Sequence, residues 1–198
     1  MPKKSGLLVI AVTGTPGAGK TSFAKMLSEQ TGLRAIEVND IVEEKKLFSG
    51  IDEHGSKIVK MQELKKELKA LEKSEKEAGK PAIMFVGHLL ADLKLDYDIS
   101  IVVRANLKEL ISRLESRSYE KDKLRENLIS ESIDYCGFQI AELSKETYQV
   151  EKESDKEAAI RYLKERLAGN DVEKPNLPEI NKTDEMLELV YEGNTFGL

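Results

Sequence analysis

The 198-residue chain predicts a three-layer α/β fold, a parallel sheet covered by helices on both faces. Three observations predict it. A short, continuously apolar, β-rich run at 7–12 and further largely apolar runs at 82–86 and 99–103 give the pattern of strands buried on both sides. Segments with helical spacing of apolar residues lie between them, as strand–helix–strand units require. A glycine-rich turn joins the first of these strands to the first helix. By the rule of roughly 150 residues per domain the chain is one domain with a small appendage. At this size folding buries about 70% of the unfolded chain's surface, so neither a metal nor a disulfide is needed as a staple.

The elements follow in order. Residues 7–12, Leu-Leu-Val-Ile-Ala-Val, form the first strand, and 13–19 carry turn chemistry. Residues 20–30 read as a helix with Phe23, Met26, Leu27 and Gln30 down one side, closed by Gly32 just past its end. A second strand occupies 33–38, and Asn39 or Asp40 caps a short helix reaching about Leu47. Residues 49–56, with Gly50 and Gly55, read as a loop. A longer helix follows, with Met61, Leu64, Leu68 and Leu71 three and four apart and a solvated face of Lys and Glu. Gly79-Lys80-Pro81 stops it. Residues 82–86 and 99–103 are the third and fourth strands, 107–116 and about 128–144 are helical, and 148–150 are a brief last strand. Ser154 or Asp155 caps a helix that ends before Gly169. The domain thus spans residues 1–169. A C-terminal extension, 170–198, contains Pro175, Pro178 and a short amphipathic piece around Met186, Leu187 and Val190. That piece packs on the domain, contacts a partner or stays loose. No internal repeat is visible.

Composition narrows the class. The chain is 40% hydrophobic and 34% charged, which excludes a low-complexity disordered polymer. Its net charge is 31 − 36 = −5. Such an acidic chain is not expected to bind nucleic acid directly, because that binding rests on neutralising phosphates. The single cysteine, Cys136, rules out an intramolecular disulfide and fits a reducing, cytoplasmic setting. It has no neighbouring His and acid in sequence, and reads as a small buried thiol. Lys3-Lys4 ahead of residues 7–12 imitates a signal peptide, but the apolar run is too short. No apolar run approaches 18 residues, so no membrane span is expected.

Chemistry enters at Gly14-Thr15-Pro16-Gly17-Ala18-Gly19-Lys20-Thr21, which fits the phosphate-binding pattern G-x-x-x-x-G-K-[ST] at every fixed position. The pattern leaves a strand and opens a helix, as its mechanism demands. Glycines let backbone approach phosphate without a Cβ clash. The N–H groups of the loop and of the first helical turn, through Thr21 and Ser22, then point at the anion with the helix dipole behind them. Lys20 is expected to reach the β- and γ-phosphates, and the Thr21 hydroxyl to bind Mg²⁺. Such a loop takes a nucleoside triphosphate. No guanine-reading N-K-x-D stretch occurs, which disfavours a GTPase switch.

Arginines are the second signal. Arg113 and Arg117 lie four apart on one helix face, and Arg125 follows in a charged stretch, 117–127, that shows no apolar stripe and reads as a mobile lid. Phosphoryl transfer needs positive charge on the moving group and exclusion of water, which an arginine-bearing lid supplies.

In these residues the chain resembles the adenylate kinase isoenzyme 6 family, also called coilin-interacting nuclear ATPase, with its archaeal relatives. The likeness runs over about residues 7–150. The loop is similar to that family's GTPGxGKT. Asp40 falls on an aspartate that opens the monophosphate-binding segment, here about 39–80. Val86-Gly87-His88 falls on a D-x-H site. Residues 113–119, Arg-Leu-Glu-Ser-Arg-Ser-Tyr, resemble R-L-x-x-R-G-Y, with Lys123-Leu124 and Asn127 matching in the lid. The resemblance implies a P-loop nucleoside monophosphate kinase with sheet order 2-3-1-4-5. It also implies ATP and AMP as substrates, Mg²⁺, ATPase activity, and a role in small-subunit ribosome maturation with a small-subunit ribosomal protein as partner. Three departures stand out. Val86 replaces the aspartate, Glu43 stands where some members carry an arginine, and Ser118 replaces a lid glycine that serves as hinge.

His88 orients water or phosphate beside the loop, or is a hydrogen-bonded histidine at a strand end. His54 reads as solvated. Two functions stay open. One is an enzyme running ATP + AMP to 2 ADP, with Lys20, Arg113, Arg117 and Arg125 stabilising charge and Asp40 and His88 facing substrate. The other is an assembly factor gated by nucleotide, whose kinase activity is weak or absent.

Overall fold

A computed structural model describes residues 6–53, 55–177 and 179–191. Lys3, Lys4, His54 and Pro178 lie outside the described residues.

The sheet has five parallel strands: β1 (Leu8–Thr13), β2 (Ala35–Glu37), β5 (Ala82–Val86), β6 (Tyr97–Val103) and β7 (Ser144–Val150). Their order is β2-β5-β1-β6-β7, which is 2-3-1-4-5 when only these five are counted. In register, Glu37 pairs with Val86, and Val86 with Val12, so three strand ends line up where β1 runs into the glycine-rich loop. Alternation sorts the side chains onto two faces. Ile10, Val12, Met84, Val86 and Ile101 enter one core cluster, and Val9, Ala11, Ile83 and Phe85 the other.

The first face is covered by α1 (Lys20–Thr31), α4 (Leu107–Ser116), α5 (Lys121–Ser132) and α7 (Glu153–Leu167). The second carries α2 (Val38–Glu44), α3 (Met61–Glu77) and α6 (Tyr135–Ala141). Gly32 closes α1 with φ 75°, its N–H bonded to Ser28 O at 2.8 Å. Asn106 caps α4, accepting from the N–H groups of Lys108 and Glu109. On α3, Leu64 and Leu68 are fully buried, as their spacing predicts.

Several expectations are corrected. The segment read as a loop is an antiparallel hairpin, β3 (Phe48–Ile51) and β4 (Lys57–Val59). It is polar, and its exposed Ile51 and Ile58 gave no buried alternation to read. Helix α2 starts at Val38, so Asn39 and Asp40 lie inside its first turn and do not cap it. The stretch 128–144 is two helices, broken where Asp134 takes the left-handed conformation at φ 53°. The last strand begins at Ser144, four residues before the predicted start, because Ser144 to Val150 pair along the whole of β6. At α7 the capping group is Asp155 reaching back: its carboxylate accepts the Lys152 N–H at 3.0 Å. Segment 117–127 has an apolar stripe after all. Leu124 is 2% exposed, Leu128 one turn further along α5 continues its stripe, and Tyr119 packs against the same core.

The extension packs on the domain. Helix α8 (Thr183–Tyr191) buries Leu189 against the first core, with Met186, Leu177 and Val172 alongside. Lys182, at its start, is 1% exposed and pairs with Glu151 and Glu185.

Gly14 shows how tightly the loop is fitted. Its φ is 139°, and an added Cβ would lie 2.2 Å from the Val103 carbonyl oxygen. Gly14→Ala is expected to destabilise the fold by about 2 kcal/mol or more. Gly32→Ala, with φ 75° but open space around it, costs only about 1 kcal/mol of backbone strain. Urea unfolding of the two variants beside wild type checks the difference.

Candidate nucleotide site

The phosphate loop runs from the buried end of β1 to the start of α1. Gly14, Gly17 and Ala18 are buried, Pro16 and Gly19 half-buried, and Thr21 and Ser22 exposed on the first helical turn. Gly17 and Gly19 hold φ of 89° and 104°, which keeps the loop curved around a central point. Lys20 Nζ donates to Gly14 O at 2.8 Å and to Thr15 O at 2.9 Å. Its ammonium therefore lies across the mouth of the loop.

Burial pushes the Lys20 pKa down to about 8, with Arg117 acting in the same direction. Cys136, Glu131 and Glu37 pull the other way. These groups come from four elements, so the structure gathers β2, α5, α6 and the end of α4 around one ammonium. His88 opens a 3₁₀ turn (His88–Ala91) directly after β5. Burial, then Lys20 and Lys123, push its pKa down to about 4, which makes it a neutral imidazole at neutral pH. Arg113 reaches the loop's backbone, donating to Gly17 O at 3.3 Å and pairing with Glu109 at 2.7 Å. Arg125 is half-buried on α5, two residues past Lys123. Asp40 is exposed on α2, and Glu43 on the same helix pairs with Lys57 of the hairpin. Val86 is wholly buried. Ser118 adopts φ 57°, a conformation that glycine takes freely and serine does not. The Cys136 thiol is pushed up to about 11 by burial, which suits a packing role.

Sequence reasoning missed the network beneath the loop. Thr15 Oγ1 donates to Glu131 Oε2 at 2.5 Å, and Glu131 Oε1 accepts from Arg104 Nε at 2.8 Å and from the Ala105 N–H at 3.0 Å. Arg104 also pairs with Asp134 at 2.9 Å and donates to Gln149 and to Ile180 O. Arg104 and Glu131 are 2% and 1% exposed. They are 27 residues apart, and no local periodicity signals such a pair. The loop's other flank opens on a cavity of about 440 Å³ lined by Ala18, Asn106, Arg113, Lys152, Lys156 and Glu185. Among the described residues Glu37 Oε1 is buried without a hydrogen-bond partner, as are the hydroxyls of Thr13, Ser28 and Thr147. Among those residues no cluster of three or more His, Cys, Asp or Glu is arranged to hold a metal alone.

A strand–glycine loop–helix with a lysine across its mouth, at the carboxyl edge of a parallel sheet, defines a P-loop nucleotide-binding protein. Residues 10–134 match the family model described as an AAA domain, and the chain belongs to that family. Among curated relatives, one from Methanosarcina acetivorans is 36% identical over 129 residues, 64% of this chain and 68% of its own. Another, from Methanosarcina mazei, is 34% identical over 155 residues, 72% and 78% of the two chains. Both carry the name "Putative adenylate kinase". Among solved structures, shikimate kinase from Acinetobacter baumannii aligns with TM-score 0.52 at 16% identity, over 84% of this chain and 96% of that one. A sugar kinase from Janibacter sp. HTCC2649 gives the same score and identity, over 84% and 99%. At that identity the likeness concerns the fold.

The Lys20 pKa makes a binding prediction. A bound phosphate anion favours the protonated ammonium, so nucleotide affinity follows the free protein's Lys20 titration. Affinity for ADP is expected to be flat from pH 7 to 7.5 and to fall above pH 8, approaching about tenfold per pH unit. His88 adds no inflection in that range. Calorimetric titrations between pH 7 and 9.5 check this.

Proposed function

We propose that the chain is an ATP-dependent nucleoside monophosphate kinase of adenylate kinase type, converting ATP and AMP to two ADP, with slow ATP hydrolysis as a side reaction. The observation that carries the reading is the Lys20 ammonium on the loop's own carbonyls, with Arg113 bonded to Gly17 O and Arg117 acting on the same charge. Cations from two separate elements thus converge on one phosphate cradle, which is what stabilising a transferring phosphoryl group requires. The names of the archaeal relatives support adenylate as the monophosphate.

The residues present fit ATP and Mg²⁺. Gly19, at φ 104°, leaves open space where a Cβ would stand at the start of α1, and Thr21 leaves its side chain exposed on the first turn beside Lys20. Loop N–H groups would hold the phosphates and the Thr21 hydroxyl the metal; the metal, when bound, supplies charge neutralisation on the phosphate oxygens. Lys20 exchanges its two carbonyl partners for phosphate oxygen. Arg113 and Arg117 bring charge from α4, and Arg125 and Lys123 from α5. Neutral His88 can accept or donate one hydrogen bond to phosphate or water without adding charge. Asp40, exposed on α2, is the residue this reading assigns to the monophosphate. Lys20→Met is expected to lower turnover by about a hundredfold or more while the melting temperature stays put. The reaction itself is tested by adding AMP: ATP consumption should accelerate and yield two ADP per ATP. Unchanged consumption on AMP addition would refute the kinase reading.

A second reading, a nucleotide-gated assembly factor that binds a small-subunit ribosomal protein, is favoured by one observation. Ile133 and Phe138, 57% and 71% exposed, share a groove of about 510 Å³ with Leu177 and Ile180. Phe138→Glu is expected to weaken association with such a partner at least tenfold in a pull-down with purified small-subunit proteins, leaving phosphoryl transfer intact.

A further inference from the structure

Glu37 is the last residue of β2 and the residue from which α2 departs, yet its side chain makes no capping bond to that helix. Strand parity puts it on the α1 face: Ala35, two residues earlier, packs in the same core cluster as Val86, while Ile36 packs in the other. The register sets Glu37 beside Val86, on the strand next to it and on the same face. One carboxylate oxygen, Oε1, is buried and unpartnered among the described residues. The carboxylate is close enough to act on the Lys20 ammonium, but Lys20 Nζ donates instead to Gly14 O and Thr15 O. A buried carboxylate oxygen without a donor is costly, and such oxygens in native proteins mark a place where a cation or ordered water belongs.

We propose that Glu37 is the carboxylate that holds the Mg²⁺ water shell of the bound triphosphate, reaching across from β2 to do what Val86 cannot. The proposal rests on the kinase reading of the site above. The Val86 side chain has no oxygen to offer, and it ends β5, the strand between β1 and β2. Adjacent strands are about 4.8 Å apart. A glutamate one strand over is longer than an aspartate by a methylene, which recovers part of that distance. Mg²⁺ keeps several waters and takes its other ligands from phosphate and a hydroxyl, so one carboxylate behind those waters suffices. A carboxylate behind those waters orients them and offsets the metal's charge.

The test is calorimetry of ADP and ATP binding by the full-length protein, with Mg²⁺ and with EDTA, for wild type, Glu37→Gln and the exchange variant Glu37→Val with Val86→Asp. Glutamine keeps the shape and removes the charge. The expected result is that Glu37→Gln binds nucleotide in EDTA at least as well as wild type and loses about tenfold of the enhancement that Mg²⁺ confers. Its metal-free melting temperature should not fall, because a buried charge has been removed. The exchange variant should regain the enhancement. An equal Mg²⁺ enhancement in wild type and Glu37→Gln would overturn the proposal. So would an equal loss with and without Mg²⁺, which would confine Glu37 to positioning Lys20. A wild type that binds no nucleotide at all would instead overturn the P-loop reading on which both stand.

Discussion

The ion pair between Arg104 and Glu131 is the interaction on which the site depends. Both side chains are withdrawn from water, and between them they engage the phosphate loop through Thr15, the start of the α4 crossover through the Ala105 N–H, α6 through Asp134 and β7 through Gln149. Neither charge has solvent to fall back on. Breaking one partner of such a pair costs about 3–5 kcal/mol because the other charge is left uncompensated. Keeping it intact gives no large net stabilisation, since desolvation offsets most of the attraction. What the pair contributes is geometry. Thr15 is fixed within the loop, and a fixed loop presents its N–H groups to phosphate without first having to order itself.

The electrostatics around Lys20 follow from the same burial. A cation deprived of water is held near its titration point, so the loop lysine stays charged at neutral pH by a narrow margin. The surrounding carboxylates of Glu37 and Glu131 supply part of that margin. His88, pushed well below neutrality by burial and by two lysines, adds no further positive charge. Lys20, Arg117 and Lys123 thus bring positive charge to the loop while His88 brings none.

Much of this was legible in the chain and some was not, for identifiable reasons. Strands β1, β5 and β6 announce themselves because parallel strands buried on both faces need largely apolar runs, whereas the polar start of β7 hid four of its residues, and the α4 bounds follow from the Asn106 cap and from Leu107, Leu110 and Leu114 repeating on one side. The phosphate loop was readable because its chemistry is local. The β3–β4 hairpin was not, since it is a polar ribbon lacking a buried face. The break between α5 and α6 rests on one left-handed aspartate, which periodicity cannot see. The stripe Leu124–Leu128 was masked by its charged neighbours. Of the site, Lys20, Arg113, Arg117 and His88 were identified from sequence and do surround the loop. Arg104, Glu131 and Glu37 were passed over, because a charged residue in a sequence looks solvated until the fold puts it under something.

The extension illustrates the same limit and sets a constraint on motion. Glu185 of α8 accepts the Leu107 N–H at 2.8 Å and the Asn106 amide at 3.1 Å, while its other oxygen takes Lys182. The first turn of α4 is therefore capped twice, by Asn106 from within and by the extension from outside. Arg113, further along α4, is bonded to the phosphate loop. At the opposite end, Arg117, Ser118 and Glu120 are exposed, and Ser118 holds a left-handed backbone that a non-glycine residue adopts at a cost of about 1–2 kcal/mol. One end of the helix is clamped and the other is strained. Helix α5, which follows that strained turn, is itself tied to the phosphate loop by Glu131 on Thr15 and to the core by Leu124 and Leu128, so loop, α4 and α5 are held as one assembly.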